Sequence, residues 1–244
     1  MNKIDEKADN VVTAGKKWVF DEEVAQCFAN MLARSIPGYE QMRELTLAIG
    51  DKYLREKGVS IVTDIGCSNG LDIQPFIDKY GARIHTFLID SSQAMIDEAR
   101  KRFSGWVECD AMKLYCSDVT KQYPPAVADV TLCILALQFT PIEERQQLLK
   151  KIYDHTQKGG ALILVEKVQG ENASMDDMLT ACYYAHKRNC GYTDQQIAEK
   201  RESLRGVLVN LKPAWNEQLL KEAGFTDVQM FWRHLNFCGW VAVK

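Results

Sequence analysis

The stretch Thr63-Asp64-Ile65-Gly66-Cys67-Ser68-Asn69-Gly70 decides how this chain is read. It closes a short β-branched run, Ser60 to Ile65, and opens a helical pattern from Asn69 to Tyr80 carrying Leu71, Ile73, Phe76 and Ile77. Strand, glycine turn and helix in that order make the first unit of a parallel sheet. The unit repeats: Arg83 to Asp90 is a second apolar strand, and Ser92 can cap a helix bearing Ala94, Met95, Ile96 and Ala99.

Working outward, Trp106 to Cys109 reads as a third strand, Asp129 to Leu135 as a fourth and Ala161 to Lys167 as a fifth, with a helix over Pro141 to His155. Two helices, Asp21 to Ile36 and Tyr39 to Lys57, precede the first strand. After the fifth the rhythm changes. Ser174 to Arg188 and Thr193 to Leu208 read as helices inserted as a lid, before a Trp215 to Ala223 helix and a closing antiparallel hairpin, Val228 to Leu235 and Phe237 to Val243. The pattern predicts one α/β unit over residues 1–244 with a mostly parallel seven-stranded sheet, N-terminal helices over 1–58 and a helical lid over 170–210.

Composition narrows the function. A formal net charge of -3 argues against a protein whose affinity rests on neutralising many phosphates, so no strong nucleic-acid signature is present. The longest apolar runs, such as Ala161 to Val165, are too short to span a membrane, and the polar start Met1-Asn2-Lys3 does not read as a signal peptide, so a cytoplasmic protein is expected. The first dozen or so residues look loose. Eight cysteines without a C-x-x-C pair have poor spacing for zinc and read as buried thiols, and no metal site is expected. The four histidines are scattered and read as structural, and the basic runs His186-Lys187-Arg188 and Lys200-Arg201 read as solvated helix faces.

The turn lies at a strand's carboxyl end, where open α/β sheets bind ligands. Glycines there let a ligand approach the backbone closely, and Asp90 ends the next strand, where a carboxylate can accept from both hydroxyls of a ribose. A dinucleotide site prefers G-x-G-x-x-G with a pyrophosphate at the helix start; here the turn reads G-C-S-N-G behind an acid, Asp64, which disfavours phosphate and suits an ammonium. S-adenosylmethionine has the matching parts: a ribose, a sulfonium and an amino-acid head. Asp110, placed after the third strand, is positioned for the adenine amino group. The structural alternative is that Asp64 and Gly66 only shape a turn and Asp90 only caps a helix. Cys67 is read as a small turn residue ahead of a nucleophile.

From about Lys17 to Lys244 the chain resembles the carboxy-S-adenosyl-L-methionine synthases. The resemblance rests on Trp18-Val19-Phe20-Asp21-Glu22, Arg34-Ser35-Ile36-Pro37-Gly38-Tyr39, Asp64-Ile65-Gly66-Cys67-Ser68, Gln93-Ala94-Met95-Ile96, Leu137-Gln138-Phe139, Lys187-Arg188 with Gly191-Tyr192, and Lys200-Arg201. It implies a class I methyltransferase (Rossmann-like) fold. It also implies that Tyr39, Gly66, Cys67, Ser68, Asp90, Ser91, Asp110 and Ala111 hold S-adenosylmethionine or its carboxylated product, and that Arg201, the expected catalytic residue, clamps a carboxylate. The implied reaction turns S-adenosylmethionine and prephenate into carboxy-S-adenosylmethionine and phenylpyruvate through a sulfonium ylide that captures carbon dioxide, for tRNA wobble-uridine modification. Family members are homodimers whose lid approaches the neighbouring site.

Three departures from the family pattern are read here. Ile134-Leu135-Ala136 stands where the family has Asn-Phe-Thr, the linker from Arg102 to Trp106 is short, and the family's Gly-Asp-Ile after the third strand is matched to Cys109-Asp110-Ala111. The alternatives kept open are an ordinary methyltransferase acting on a small molecule or tRNA, and a noncatalytic module that uses the adenosyl group to stabilise an interface.

Overall fold

The protein is described here from a computed structural model, which describes residues 9–11 and 15–244. Met1-Asn2-Lys3 and most of the stretch expected to be loose lie outside the described residues. Asp9, within that stretch, is buried: its amide donates to Asn30 at 3.0 Å, and its carboxylate accepts from the Tyr192 hydroxyl.

Seven strands form one sheet in the order β3-β2-β1-β4-β5-β7-β6, where β1 is Ser60–Ile65, β2 Ile84–Asp90, β3 Met112–Cys116, β4 Ala128–Ile134, β5 Thr156–Lys167, β6 Asp227–His234 and β7 Phe237–Val243. The first five pair in parallel, and β7 runs antiparallel to both β5 and β6. The central strands are apolar along almost their whole length because helices cover both faces, as β4 shows with every residue buried. The order reverses between β1 and β4, which opens the crevice at their carboxyl ends where α/β sheets take ligands.

Helix α1 (Glu22–Ser35) is capped by Asp21, whose side chain accepts from the Val24 amide, and turns Val24, Cys27, Phe28 and Met31 inward. Helix α2 (Tyr39–Gly50) is shorter than the expected Tyr39 to Lys57. It closes against Phe76, whose ring would stand 2.6 Å from any Cβ on Gly50, and Asp51–Tyr53 tighten into a 3-10 turn before extended Leu54. Helix α3 (Gln74–Tyr80) begins five residues later than the pattern indicated, because Asn69 to Ile73 belong to the turn. Helix α4 (Gln93–Arg102) starts at the Ser92 cap as expected.

The third strand was misplaced by the sequence pattern. Ser104–Glu108 forms a short helix, α5, in which the amides of Trp106 and Val107 bond to the carbonyl of buried Phe103. Asp110 then takes a left-handed conformation, φ 64°, and the strand begins only at Met112. Lys113, exposed between buried Met112 and half-buried Leu114, interrupted the apolar signal.

Helix α6 (Ile142–Asp154) follows β4, and the insertion after β5 is helical, with α7 (Ala173–Asn189) capped by Asn172 and α8 (Asp194–Leu204) opened by a reciprocal Thr193 and Gln196 capping box. Helix α9 (Pro213–Ala223) and the β6-β7 hairpin complete the chain. No helix among the described residues is long and apolar enough to cross a membrane.

Beneath the β4 loop lies a buried charged pair of elements. Arg145 of α6 donates to the carbonyls of Thr140, Gln138 and Val209, tying that loop to the end of the lid. Burial pushes Glu166 of β5 up from 4.5 to about 8, with Arg145 opposing. An acid that ionises less readily in the folded protein adds stability at low pH, and the contribution is lost as pH rises from the unfolded value through about 8. Glu166→Gln is expected to flatten the decline in unfolding free energy between about pH 5 and 8, measured by urea titration at successive pH values. Parallel pH profiles for variant and wild type would refute this.

Candidate functional site

At the carboxyl ends of β1, β2, β3 and β4 opens a cavity of about 390 Å³. The nucleotide turn forms its edge. Gly66 has φ 68°, and a Cβ there would stand 2.4 Å from the Cβ of Ala136, so only glycine lets the turn pass under the β4 loop. The amides of Gly66 and Cys67 both donate to the Ile89 carbonyl, and the Ser68 amide donates to Asp90 Oδ2 at 2.9 Å. Asp90 Oδ1 accepts from the Ser92 amide at 2.8 Å, so two main-chain donors fix the carboxylate at the cavity wall. Burial raises Asp90 while those amides pull the other way.

Of the residues read as cofactor-binding, Tyr39, Gly66, Ser68, Asp90 and Ser91 line the cavity. Cys67 lies beneath it, buried, with burial and then Asp90 and Asp64 pushing its thiol well above the usual range. Asp64 is also buried under the turn; burial, then Asp72 and Asp90, raise it well above the usual carboxylate range, and its Oδ2 has no hydrogen-bond partner.

Asp110 and Ala111 do not reach the cavity. Because β3 begins after them, they sit at its amino end, where Asp110 is exposed and pairs with Lys113, and Ala111 is buried with its carbonyl accepting from Thr86. The carboxyl end of β3 brings Ser117, Asp118 and Val119 to the wall instead. Asp118 takes the place assigned to Asp110. Burial alone would raise its carboxyl, but the Thr120 hydroxyl and amide, at 2.8 and 2.9 Å, outweigh it and hold the group low. With the same shift the interval between α4 and β3 runs over residues 103–111 and holds α5.

Arg201 is exposed on α8 and outside the lining, whereas its neighbour Lys200 is inside. Lys187, read as part of a solvated face, is also inside and only 4% exposed. Four lining residues that sequence reasoning missed are Asp72, Lys167, Lys187 and Lys200. Asp72 accepts from the Tyr39 hydroxyl at 3.3 Å and lies 3.8 Å from Arg43 Nε; burial raises it to about 6, with Arg43 opposing. Lys187 and Lys200 gave no usable signal, because a charge run on a helix looks the same whether its face meets solvent or a cavity.

The donor set fits an adenosyl sulfonium. Carboxylates stand at the tips of β2 and β3, glycine clears a path at the turn, and the lining residues from β1, β2 and β3 include no lysine or arginine to balance a phosphate. Sheet order and site together define an α/β protein of the methyltransferase class.

Comparison with known proteins agrees. The family model described as a methyltransferase domain matches residues 62–160. A carboxy-S-adenosyl-L-methionine synthase from Methylococcus capsulatus is 35% identical over 92% of this chain and 93% of its own length. One from Wolinella succinogenes is 36% identical over 94% of each. The chain belongs to the carboxy-S-adenosyl-L-methionine synthase family. Among solved structures, an O-methyltransferase family protein from Burkholderia thailandensis has a TM-score of 0.63 at 14% identity, covering 92% of this chain and 60% of that one. Human N-acetylserotonin methyltransferase, solved with S-adenosylmethionine, has a TM-score of 0.53 at 16% identity over 95% of this chain and 63% of its own. At that distance the likeness shows the fold.

The cysteines are not all buried thiols as read: Cys27, Cys67, Cys133 and Cys238 are buried, but Cys109, Cys116 and Cys182 are exposed, which gives a direct test. Brief iodoacetamide treatment of the native protein, followed by peptide mass mapping, is expected to label the exposed three and spare the buried four. Labelling of Cys67 at the rate of Cys182 would contradict the buried turn.

Proposed function

We propose that the protein is a carboxy-S-adenosyl-L-methionine synthase, converting S-adenosylmethionine and prephenate into carboxy-S-adenosylmethionine and phenylpyruvate, with water completing the balance. The observation that carries this reading is a single cavity with carboxylates on the wall made by β2 and β3 and lysines on the wall made by β5 and the lid, in a chain matching synthases over nearly its whole length. A sulfonium nucleoside suits the first wall and a carboxylate-bearing partner the second.

In this reading Asp90 receives the ribose hydroxyls, Asp118 the adenine amino group, and Tyr39, Ser68 and Ser91 complete the adenosyl pocket. The adenosyl group supplies an activated carbon on sulfur. Phe20 and Phe139, edge to face at 5.2 Å, line the cavity with Ile134 and Leu135 and keep water from a carbon dioxide acceptor. The whole chain works as one cytoplasmic unit with residues 170–210 as its lid, and its product serves tRNA wobble-uridine modification.

Arg201 acts across a homodimer. Its exposure in one copy, beside a lid helix that shows Met175 and Met178 to the outside, supports a guanidinium that clamps the carboxylated ligand of the neighbouring copy. A second reading, an ordinary methyltransferase on a small molecule or tRNA, is favoured by Ile134-Leu135-Ala136, which puts only apolar side chains on the wall at the end of β4.

Purified protein incubated with S-adenosylmethionine and prephenate is expected to yield a nucleoside heavier by one carbon dioxide, read by mass spectrometry. Its absence, with methyl transfer to another acceptor, would establish the second reading. Asp90→Ala removes charge-assisted hydrogen bonds of about 1.5 to 3 kcal/mol and is expected to weaken every adenosyl ligand by about tenfold or more in calorimetry. Arg201→Ala and Asp90→Ala are each expected to be poorly active, and mixing them to restore part of the turnover; no recovery after subunit exchange would place Arg201 in its own copy's site or outside catalysis.

A further inference from the structure

Three lysines from three different elements converge on the cavity: Lys167 at the end of β5, Lys187 on α7 and Lys200 on α8. Their ammonium groups rest on aromatic rings. Lys167 Nζ is 4.6 Å and Lys187 Nζ 5.9 Å from the centroid of the same ring, Tyr183, while Lys187 also lies 4.4 Å from Tyr192 and Lys200 3.0 Å from Trp18. Among the described residues none of the three has a carboxylate within ion-pair distance. Asp9 exerts the strongest opposite charge on Lys187 and Lys200, but its carboxylate is taken by the Tyr192 hydroxyl, and Asp176 acts on Lys167 only from outside the lining. Burial, with Lys187 acting on Lys167 and Lys200 and Arg34 acting on Lys187, leaves the ammoniums poorly compensated: Lys167 and Lys187 fall to about 8 and Lys200 to about 7, burial being the main cause in each.

Aromatic faces attract cations but do not neutralise them, and two like charges on one ring repel. A buried cluster of this kind costs stability unless an anion completes it. With Arg201 outside, no arginine among the described residues lines the cavity, so carboxylate recognition inside one copy falls to these three side chains.

We propose that Lys167, Lys187 and Lys200 form an anion subsite that receives the carboxylates of the second substrate and selects a dicarboxylate over a monocarboxylate. Lys167 and Lys187, sharing the Tyr183 ring, take one carboxylate between them, and Lys200, held against Trp18 and Met31 Sδ at 3.1 Å, takes the other. The substrate's identity rests on the synthase reading; the subsite itself does not.

The probes are 2-benzylmalonate and 3-phenylpropionate, which differ by one carboxylate. They are titrated calorimetrically into the full chain saturated with S-adenosylhomocysteine. Wild type is expected to prefer benzylmalonate by about tenfold or more, the scale of one charge-assisted hydrogen bond. Lys167→Met, Lys187→Met and Lys200→Met should each lower that preference while melting no earlier than wild type, because an uncompensated buried charge has been removed. Lys187→Arg should keep the preference, which covers the case of a methionine variant that does not fold. Lys158→Met, on the exposed start of β5, serves as the control and should match wild type.

Equal affinity for the two acids in wild type, or a preference that survives in all three methionine variants, would overturn the proposal. Failure of the synthase reading looks different: benzylmalonate is still preferred through the lysines, yet prephenate gives no carboxylated nucleoside. Carboxylated product formed by the methionine variants at the wild-type KM for prephenate would leave the synthase reading standing and remove the subsite.

Discussion

The site depends on the hydrogen bond from the Ser68 amide to Asp90. It joins the turn after β1 to the tip of β2, and with the Ser92 amide it fixes a carboxylate that is otherwise raised by burial. With it, the amides of Gly66 and Cys67 reach the Ile89 carbonyl, Gly66 passes beneath Ala136, and the crevice between β1 and β4 acquires a fixed edge. Any larger residue at 66 meets both the left-handed backbone and the Ala136 side chain, so glycine there is a steric requirement of the β4 loop as much as of a ligand.

A second constraint is that acids and lysines line the same cavity without neutralising one another. Burial raises Asp72 and Asp90 on the wall, and Asp64 beneath it, which those two raise further; burial likewise lowers Lys167, Lys187 and Lys200. If opposite charges paired inside, the cavity would close on an ion-pair network and offer little to a charged ligand. Held on separate walls by the sheet and the lid, the two sets cost folding energy that binding can return. Arg145 matters to this separation because it bonds to both the β4 loop and Val209 at the lid's end, so the two walls share one support.

Where side-chain period and burial agreed, the fold was legible from the residues alone. β1, β2 and β4 are nearly continuous apolar runs between turn residues, and Ser92 caps its helix through the side-chain oxygen that the pattern led one to expect. The third strand was not legible, since Met112 to Cys116 alternates with an exposed lysine while Trp106 and Val107 look more strand-like but are drawn into a helical turn by Phe103. That single shift of register misplaced Asp110 and concealed Asp118. The acid wall was thus readable in kind, from a glycine turn and acids at successive strand ends, but one of its members was assigned to the wrong end of β3.

The lysine wall was illegible for a different reason. Helices α7 and α8 are weakly amphipathic and mostly exposed, so nothing in their spacing tells which cation turns inward; that depends on how the lid sits on the sheet, a relation that only the folded chain contains. Lys200 and Arg201 show the point most sharply. They are adjacent on α8, about 100° apart around the helix axis, and carry the same charge, yet one rests on Trp18 within the cavity and the other faces outward. A resemblance in sequence marks the pair together and assigns the carboxylate to the arginine. The fold separates them: the lysine lines the cavity, and the arginine stands outside it.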